Sequence, residues 1–261
     1  MKLSLPDVTI CMHLRIDSEI RLRNVMTILK YITAMANVRV IVMEGDAAQR
    51  GQALSAVENI SYVFVQDNDP VFQLAAYRNQ LIRMAETPVV VLWDVDVVAP
   101  PEQLREAIEK VRRKEAVLAW PYDGICYNVP REVAVLFETA GDISALTTRT
   151  HEFTTMCGAS STGGIFVADR DRYMTIGMDN ENLHGWGPED TERLKRTTIL
   201  GLPVYRVRGD LFHLWHPRGV NSRHIDPQTE TAACKEFLKI CRCTKTELTA
   251  YVATWSWTKN C

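Results

Sequence analysis

Two aspartates separated by one residue, Asp94 and Asp96, stand at the end of a strongly apolar run, residues 88–93. A short apolar run after a proline is typical of a buried strand in a parallel sheet. Because side chains alternate along a strand, both carboxylates are expected to lean to the same side. In open α/β sheets, ligands bind at the carboxyl ends of the strands. The pattern therefore predicts a divalent cation on a nucleotide diphosphate, held by this pair; the alternative is two capping or loop carboxylates.

A second group of chemically useful residues is found at residues 184–190, with the sequence His-Gly-Trp-Gly-Pro-Glu-Asp. The two glycines let the backbone turn sharply and approach a ligand, and Trp186 offers a flat apolar face that can pack against a sugar ring. Glu189 and Asp190 open a predicted helix, where the helix dipole favours ionised carboxylates. An ionised aspartate can accept a proton from an alcohol, as group transfer to a hydroxyl requires. The alternative is a capped helix with a core tryptophan.

Two histidines, His213 and His216, follow in a strand-like segment. A neutral imidazole is a common ligand of transition metals. Residues three apart on a strand point to opposite faces, so only one of the two is expected to join a metal site. A single histidine in such a run is more often structural, and the acidic pair upstream is what favours a ligand role.

Strands and helices alternate from residue 8 to about residue 120. We expect this alternating framework to position the site residues. Strands and helices that alternate at this rhythm predict an α/β fold with a mostly parallel central sheet flanked by helices. Apolar periodicity predicts strands at residues 8–12, 38–43, 60–65, 88–93 and 116–120, and helices that begin near Ser18, Gln49, Asp69 and Pro101.

The second half of the chain has shorter elements. Strands are predicted at residues 162–167, 204–207 and 211–215, with a helix from Pro188 to Gly201 between them.

The expected domain organisation follows from this change to shorter strands and helices. We expect one domain over residues 1–225, with a nucleotide-binding half at 1–120 and an acceptor or catalytic half at 121–225. A helical extension is expected at 226–261, with a capping box at residues 244–247.

The chain has 261 residues, of which 46% are hydrophobic and 24% are charged. This composition is that of an ordinary soluble protein with a full-sized core. The formal net charge of −2 gives no electrostatic reason to expect nucleic acid as a partner. The seven cysteines form no C-x-x-C pair, which favours reduced thiols. No apolar stretch reaches the roughly 18 residues of a membrane helix, and residues 1–6 are too short for a signal peptide. We expect a cytoplasmic protein, with peripheral membrane association as a further option.

Taken in order, these motifs resemble those of the GT-A glycosyltransferases, specifically the group of β-1,4-galactosyltransferases, chondroitin-type polymerases and polypeptide GalNAc-transferases. The resemblance covers residues 8 to about 220. The matching residues are the metal-binding triplet Asp94-Val95-Asp96, the galactosyltransferase pattern of Gly163-Gly164 followed by residues 185–190, the downstream ligand His216, and the nucleotide-binding segments 15–19 and Tyr77-Arg78-Asn79.

The resemblance implies the Rossmann-like GT-A fold of nucleotide-diphospho-sugar transferases and a metal-dependent transfer from a UDP-sugar. Asp96 and His216, with a contribution from Asp94, would bind Mn²⁺, with Mg²⁺ as the alternative, and mixed oxygen and nitrogen ligands suit manganese. The ion would act as a Lewis acid on the leaving UDP. Asp190 would be the general base, and a single displacement implies inversion at the anomeric carbon.

The resemblance also implies binding residues for the two sugars and the nucleotide. The implied donor and nucleotide contacts are Arg15, Asp17, Arg78, Asp94 and Val95, and arginine suits phosphate through its fork of donors. The implied residues at the junction of donor and acceptor sugars are Gly163, Gly164, Trp186 and Glu189.

The sequence departs from the galactosyltransferase pattern at three places. Residues 160–162 are small, where galactosyltransferases carry an aromatic side chain. We hypothesise that this leaves room for a 2-acetamido group, so that UDP-GalNAc or UDP-GlcNAc is an alternative to UDP-Gal. Pro188 replaces a glycine and Thr191 an acidic residue, but neither change removes Asp190. The expected acceptor is a glycan, free or lipid-linked.

Two other functions compete with this interpretation. A catalytically silent sugar-nucleotide-binding scaffold would have little reason to keep Asp190 beside an intact metal triplet. A sugar nucleotidyltransferase would carry a Gly-rich basic loop after the first strand, and residues 13–16 contain no glycine.

Overall fold

The computed structural model of the protein describes residues 2–156, 158–222, 224 and 226–259. The strands of this part of the chain are β1 (Leu3–Leu14), β2 (Ala36–Asp46), β3 (Ile60–Gln66), β4 (Val89–Trp93), β5 (Val97–Val98), β6 (Leu118–Trp120), β7 (Cys126–Val129), β8 (Thr154–Thr155), β9 (Ile165–Asp169), β10 (Val204–Arg206) and β11 (Leu211–Leu214). The helices are α1 (Glu19–Met35), α2 (Leu74–Met84), α3 (Pro101–Arg112), α4 (Arg131–Ala140), α5 (Ser144–Thr147), α6 (Arg170–Thr175), α7 (Glu189–Ile199), α8 (Pro227–Arg242) and α9 (Lys245–Val252).

A seven-stranded sheet, in the order β10-β6-β9-β4-β1-β2-β3, forms the centre of the molecule. Strand β9 runs antiparallel to both of its neighbours, and the remaining pairs are parallel. This confirms the predicted α/β fold with a mostly parallel sheet. All five residues of β4, the apolar run of the sequence, are buried, as expected of a strand covered on both faces.

A second, four-stranded sheet has the order β5-β11-β7-β8. Strand β5 lies just beyond the aspartate pair and pairs antiparallel with β11, so that His213 lies opposite Val97. The amide of Leu214 donates to the carbonyl of Asp96 at 2.7 Å. This pairing brings a segment from residue 211 onward to the end of β4, and sequence spacing alone did not indicate it.

Local signals define several helix ends as predicted. Ser18 caps α1, its hydroxyl accepting from the Arg21 amide at 3.2 Å. The capping box of α9 is formed by Thr244 and Glu247. Helix α7 begins at Glu189, directly after Pro188.

Two predicted helix starts are wrong. Helix α2 begins at Leu74 and not at Asp69, because the Asp69 carboxylate accepts from the Val71 amide at 2.8 Å and closes a turn instead. The helix expected from Gln49 is only a short 3₁₀ turn at Gln52–Ala56. The Glu44 carboxylate takes up the backbone amides before that turn.

The C-terminal helices pack against α7. The indole of Trp257 donates to the Gly177 carbonyl at 3.0 Å, and Arg83 donates to the Trp257 carbonyl at 2.7 Å. The expected domain boundary at residue 225 lies outside the described residues, and the division into a domain and an extension stays a prediction. Among the described residues, no helix combines the length and apolar character needed to span a bilayer.

Candidate active site

A cleft of about 420 Å³ opens where β1 and β4 end. Its lining contains the residues to which the sequence analysis assigned a binding, metal or catalytic role, although these roles stay predictions. These residues are Arg15, Asp17, Arg78, Asp94, Val95, Asp96, Gly163, Gly164, Trp186, Glu189, Asp190, His213 and His216. Tyr77 and Asn79 of the matching segments do not line the cleft. Segments more than 190 residues apart in the sequence therefore share one concave surface.

Asp96, His213 and His216 form a cluster that could hold a metal ion, with ligand atoms all within 4.8 Å of one another. The Nε2 atom of His213 lies 3.6 Å from Asp96 Oδ1, and Nε2 of His216 lies 3.3 Å from Asp96 Oδ2. All three side chains are largely buried. One oxygen and two nitrogen donors are a set that fits Mn²⁺.

The expectation that the two histidines point to opposite faces is wrong, whereas the number of them that bind a metal ion stays a prediction. Strand β11 ends at Leu214, so Trp215 and His216 no longer follow the alternation of a strand. The two imidazole rings lie 5.1 Å apart, and both face Asp96. The alternation rule failed because it was applied across the end of the strand.

Burial keeps both imidazoles in the neutral form that ligates metals. It lowers the pKa of His213 to about 4 and also lowers the pKa of His216. The Nδ1 atom of His216 lies 2.8 Å from the Pro217 carbonyl oxygen. In the tautomer with a hydrogen on Nδ1, that hydrogen reaches the carbonyl and the Nε2 lone pair is free for a metal ion, which is the usual arrangement of a ligating histidine.

Asp94 lies outside this metal-ligand cluster in the described part of the chain. Its Oδ1 accepts from Arg78 Nη2 at 3.1 Å and lies 3.5 Å from His13 Nε2. Burial raises the pKa of Asp94 to about 6, although Arg78 opposes the shift. The backbone amide of Asp94 donates to the Gly164 carbonyl at 2.8 Å, which ties the end of β4 to the start of β9.

Asp190 is held at one of its two carboxylate oxygens. Its Oδ1 accepts from Arg78 Nη1 at 3.1 Å and from Arg193 Nη1 at 2.8 Å. Both arginines are buried, and Arg193 is itself fixed by the Asp179 carboxylate at 2.7 Å. A Cβ atom added at Gly163 would lie 2.4 Å from Asp190 Oδ2, so only glycine leaves room for that oxygen.

The two arginines predicted to contact the nucleotide are largely occupied by protein groups. Arg78 donates to two carboxylates, as described above. Arg15 donates to the carbonyls of Gly45 and Asp69, each at 2.8 Å, and to Asp67 Oδ2 at 3.1 Å. Both side chains line the cleft, and their observed contacts hold its walls in place. Their contact with a ligand stays a prediction.

Glu189 is a buried carboxyl group beside Asp190. Burial, helped by the charge of Asp190, raises the pKa of Glu189 to about 8. Its Oε2 has no hydrogen-bond partner among the described residues. Burial therefore favours the protonated form of this carboxyl, which can donate a hydrogen bond in the cleft. Trp186, by contrast, is 46% exposed.

Sequence reasoning missed Arg21, Asp179 and Arg193. Arg21 stands four residues after Asp17 on α1 and pairs with it at 3.0 Å, and this spacing was a usable signal. Charged residues on α7, by contrast, predict a solvated helix face. That face is buried, with Glu192, Arg193 and Arg196 all shielded from solvent, and local sequence carried no signal for it.

One family model matches part of the chain that forms this cleft. The family described as the N-terminal domain of galactosyltransferase matches residues 147–218. That segment contains the Gly163-Gly164 pair, the motif at residues 184–190 and both histidines. No curated protein sequence matches the chain significantly.

Similar solved structures include crystal structures of glucosyl-3-phosphoglycerate synthase from Mycobacterium tuberculosis. Its complex with Mn²⁺, UDP and glucosyl-3-phosphoglycerate has a TM-score of 0.57 and 14% identity, covering 90% of this chain and 80% of that chain. Its complex with Mn²⁺, UDP-glucose and phosphoglyceric acid has a TM-score of 0.57 and 12% identity, with the same coverage. The protein thus has the GT-A glycosyltransferase fold, and it is galactosyltransferase-like over residues 147–218.

Proposed function

We propose that this protein is a metal-dependent, inverting glycosyltransferase. It moves galactose or an N-acetylhexosamine from a UDP-sugar to a hydroxyl group of a glycan acceptor, free or lipid-linked. The observation that supports this most directly is that the Asp96–His213–His216 cluster and the Asp190 carboxylate line the same cleft. A leaving-group site and a proton acceptor facing one space are what transfer to a hydroxyl requires.

In this proposal Asp96, His213 and His216 hold Mn²⁺, or Mg²⁺ in its place. The bound ion supplies positive charge to the diphosphate of the leaving UDP. The three side chains are buried and close enough together for this role. The Mycobacterium tuberculosis synthase was crystallised with Mn²⁺ and UDP, which is consistent with the proposal.

Asp190 is proposed as the general base. Arg78 and Arg193 occupy its Oδ1, so Oδ2 is the atom that accepts the proton of the acceptor hydroxyl. The hydroxyl oxygen then forms a bond to the anomeric carbon as the bond to the UDP oxygen breaks. One displacement of this kind inverts the configuration at that carbon.

The donor sugar is proposed to lie beside residues 160–164. Ser160, Ser161 and Thr162 all line the cleft, and their small side chains are compatible with a 2-acetamido group. The exposed Trp186 and the buried Glu189 would contact the sugars in the cleft. The proposed donor and nucleotide contacts are Arg15, Asp17, Arg78, Asp94 and Val95, all of which line the cleft.

Donor hydrolysis with UDP-Gal, UDP-GalNAc and UDP-GlcNAc tests the choice of sugar. We expect at least one N-acetylhexosamine donor to be used. Strict use of UDP-Gal would refute the part of the proposal that rests on residues 160–162.

Calorimetric titration of UDP tests the metal site. We expect Mn²⁺ to tighten UDP binding to the wild-type protein and to have little effect on Asp96→Ala. Tight UDP binding that is indifferent to both Mn²⁺ and this substitution would overturn the proposal.

A further inference from the structure

Arg21 reaches from the first turn of α1 to the metal-ligand cluster. Its Nη1 donates to Asp96 Oδ2 at 2.9 Å, and its Nη2 lies 3.2 Å from His216 Nδ1. Its Nε donates to Asp17 Oδ1 at 3.0 Å. The side chain is 15% exposed and lines the cleft.

The guanidinium therefore supplies positive charge at the carboxylate that a divalent cation would use. Asp96 Oδ2 accepts from Arg21 and is also the oxygen nearest to His216 Nε2. A cation that binds Oδ2 of Asp96 has to share that oxygen with Arg21 or displace Arg21 from it. A cation on either carboxylate oxygen meets the repulsion of the fixed positive charge nearby. Binding of the metal ion alone is penalised as long as Arg21 stays in this position.

A nucleotide diphosphate offers Arg21 a better partner. Phosphate oxygens carry more negative charge than one carboxylate, and the planar guanidinium can bind two of them at once. Because Asp17 holds the Nε atom, the two Nη groups can change partners while the side chain stays anchored to α1.

We propose that Arg21 couples metal binding to nucleotide binding. Without a nucleotide diphosphate, Arg21 neutralises Asp96 and competes with the divalent cation. With one bound, Arg21 turns to the phosphate oxygens and releases Asp96 to the cation. The inference rests on the proposed function, since it takes Asp96 as a metal ligand and UDP as the nucleotide.

The coupling can be measured as the effect of UDP on the affinity for Mn²⁺. If UDP tightens Mn²⁺ binding through Arg21, Mn²⁺ tightens UDP binding by the same factor, because the two affinities are linked. Replacing Arg21 by an uncharged side chain removes the competitor from the metal site and a contact from the diphosphate. The affinity for Mn²⁺ alone rises, and the gain produced by UDP shrinks.

The experiment measures free Mn²⁺ by electron paramagnetic resonance, with and without saturating UDP, on the whole chain. The variants are Arg21→Met, Arg21→Lys and, as a matched control on the same helix, Arg23→Met. Arg23 is half exposed and pairs with Glu138, away from the cluster. Unfolding temperatures show whether each variant is folded, and Arg21→Lys keeps the charge should the methionine variant be unstable.

We expect Arg21→Met to bind Mn²⁺ alone about tenfold more tightly than wild type, and the tightening by UDP to fall about tenfold. For both quantities, Arg21→Lys should lie between wild type and Arg21→Met, since lysine keeps the positive charge but cannot bind two phosphate oxygens at once as the planar guanidinium can. Arg23→Met should match wild type. Unchanged Mn²⁺ affinity and unchanged coupling in both Arg21 variants would overturn the inference and leave the metal site intact. If wild type bound no Mn²⁺ even with UDP, the proposed function itself would fail.

Discussion

Arg78 lies between Asp94 and Asp190 and donates to each carboxylate at 3.1 Å. It thereby connects the end of the central strand β4 to the first turn of α7. The guanidinium is 2% exposed, and a buried charge of this kind is tolerated only with close partners. Its contact with a nucleotide stays a prediction, and its observed contacts make it the link between the two halves of the cleft.

Removing Arg78 is expected to destabilise the protein. Arg78→Met removes a buried cationic partner from Asp94 and Asp190, which are themselves partly exposed, so we expect a loss of up to about 3–5 kcal/mol, the cost of breaking a fully buried pair. Urea denaturation measures the loss in the free energy of unfolding. Arg39→Met is the control, because Arg39 forms an exposed pair with Glu86 at 3.8 Å, and we expect a change below about 0.5 kcal/mol. Equal stabilities of the two variants would mean that the Arg78 bridge is not stabilising.

Asp190→Asn is expected to abolish base catalysis without weakening donor binding. The amide keeps an oxygen for Arg78 and Arg193 but cannot accept the proton of a hydroxyl. We expect the transfer rate to fall roughly 10²–10⁴-fold, while UDP affinity in the presence of Mn²⁺ stays at the wild-type value. A rate within a few-fold of wild type would exclude Asp190 as the base.

His213→Ala and His216→Ala are both expected to weaken Mn²⁺ binding. Each imidazole faces Asp96 within 3.6 Å, so each variant loses a nitrogen ligand, and we expect a loss of about tenfold or more. His151→Ala is the control, because the His151 side chain is 76% exposed. If only His216→Ala weakened binding, the sequence-based expectation of a single histidine ligand would be correct for the metal, and His213 would be structural.

Glu189 is expected to make the protein less stable as pH rises. Its pKa is raised from an ordinary 4.5 to about 8 by burial, with a contribution from Asp190. A raised carboxyl pKa means that the folded state binds the proton more tightly than the unfolded state, so this stabilisation is complete at low pH and is lost between about pH 4.5 and 8.

Glu189→Gln provides the comparison because it cannot ionise. The free energy of unfolding of wild type minus that of Glu189→Gln should decrease across the window from about pH 4.5 to 8. Denaturant titrations at several pH values measure it. Taking the difference removes the contributions of Asp94 and Glu192, whose pKa values are also raised. Parallel curves would show that Glu189 is ionised throughout.

Much of the architecture could be predicted because it depends on short-range rules. Apolar periodicity identified the strands of the central sheet, and Ser18 and Thr244 cap their helices as local sequence indicated. Errors arose where two local arrangements competed for one side chain or where a side chain had a partner far away in the sequence. Asp69 closes a turn with Val71 and does not open a helix, and burial of Arg193 on α7 depends on Asp179.

By itself, the sequence determined which residue types were available and where each lies along its own element. It put Asp94 and Asp96 at the end of a buried strand and Glu189 and Asp190 at the start of a helix, since both positions follow from local periodicity. Only the tertiary structure decided which of these side chains meet. The pairing of β11 with β5 brings His213 to Asp96, and burial of Arg78 joins Asp94 to Asp190, because strand register and buried ion pairs depend on contacts between distant segments.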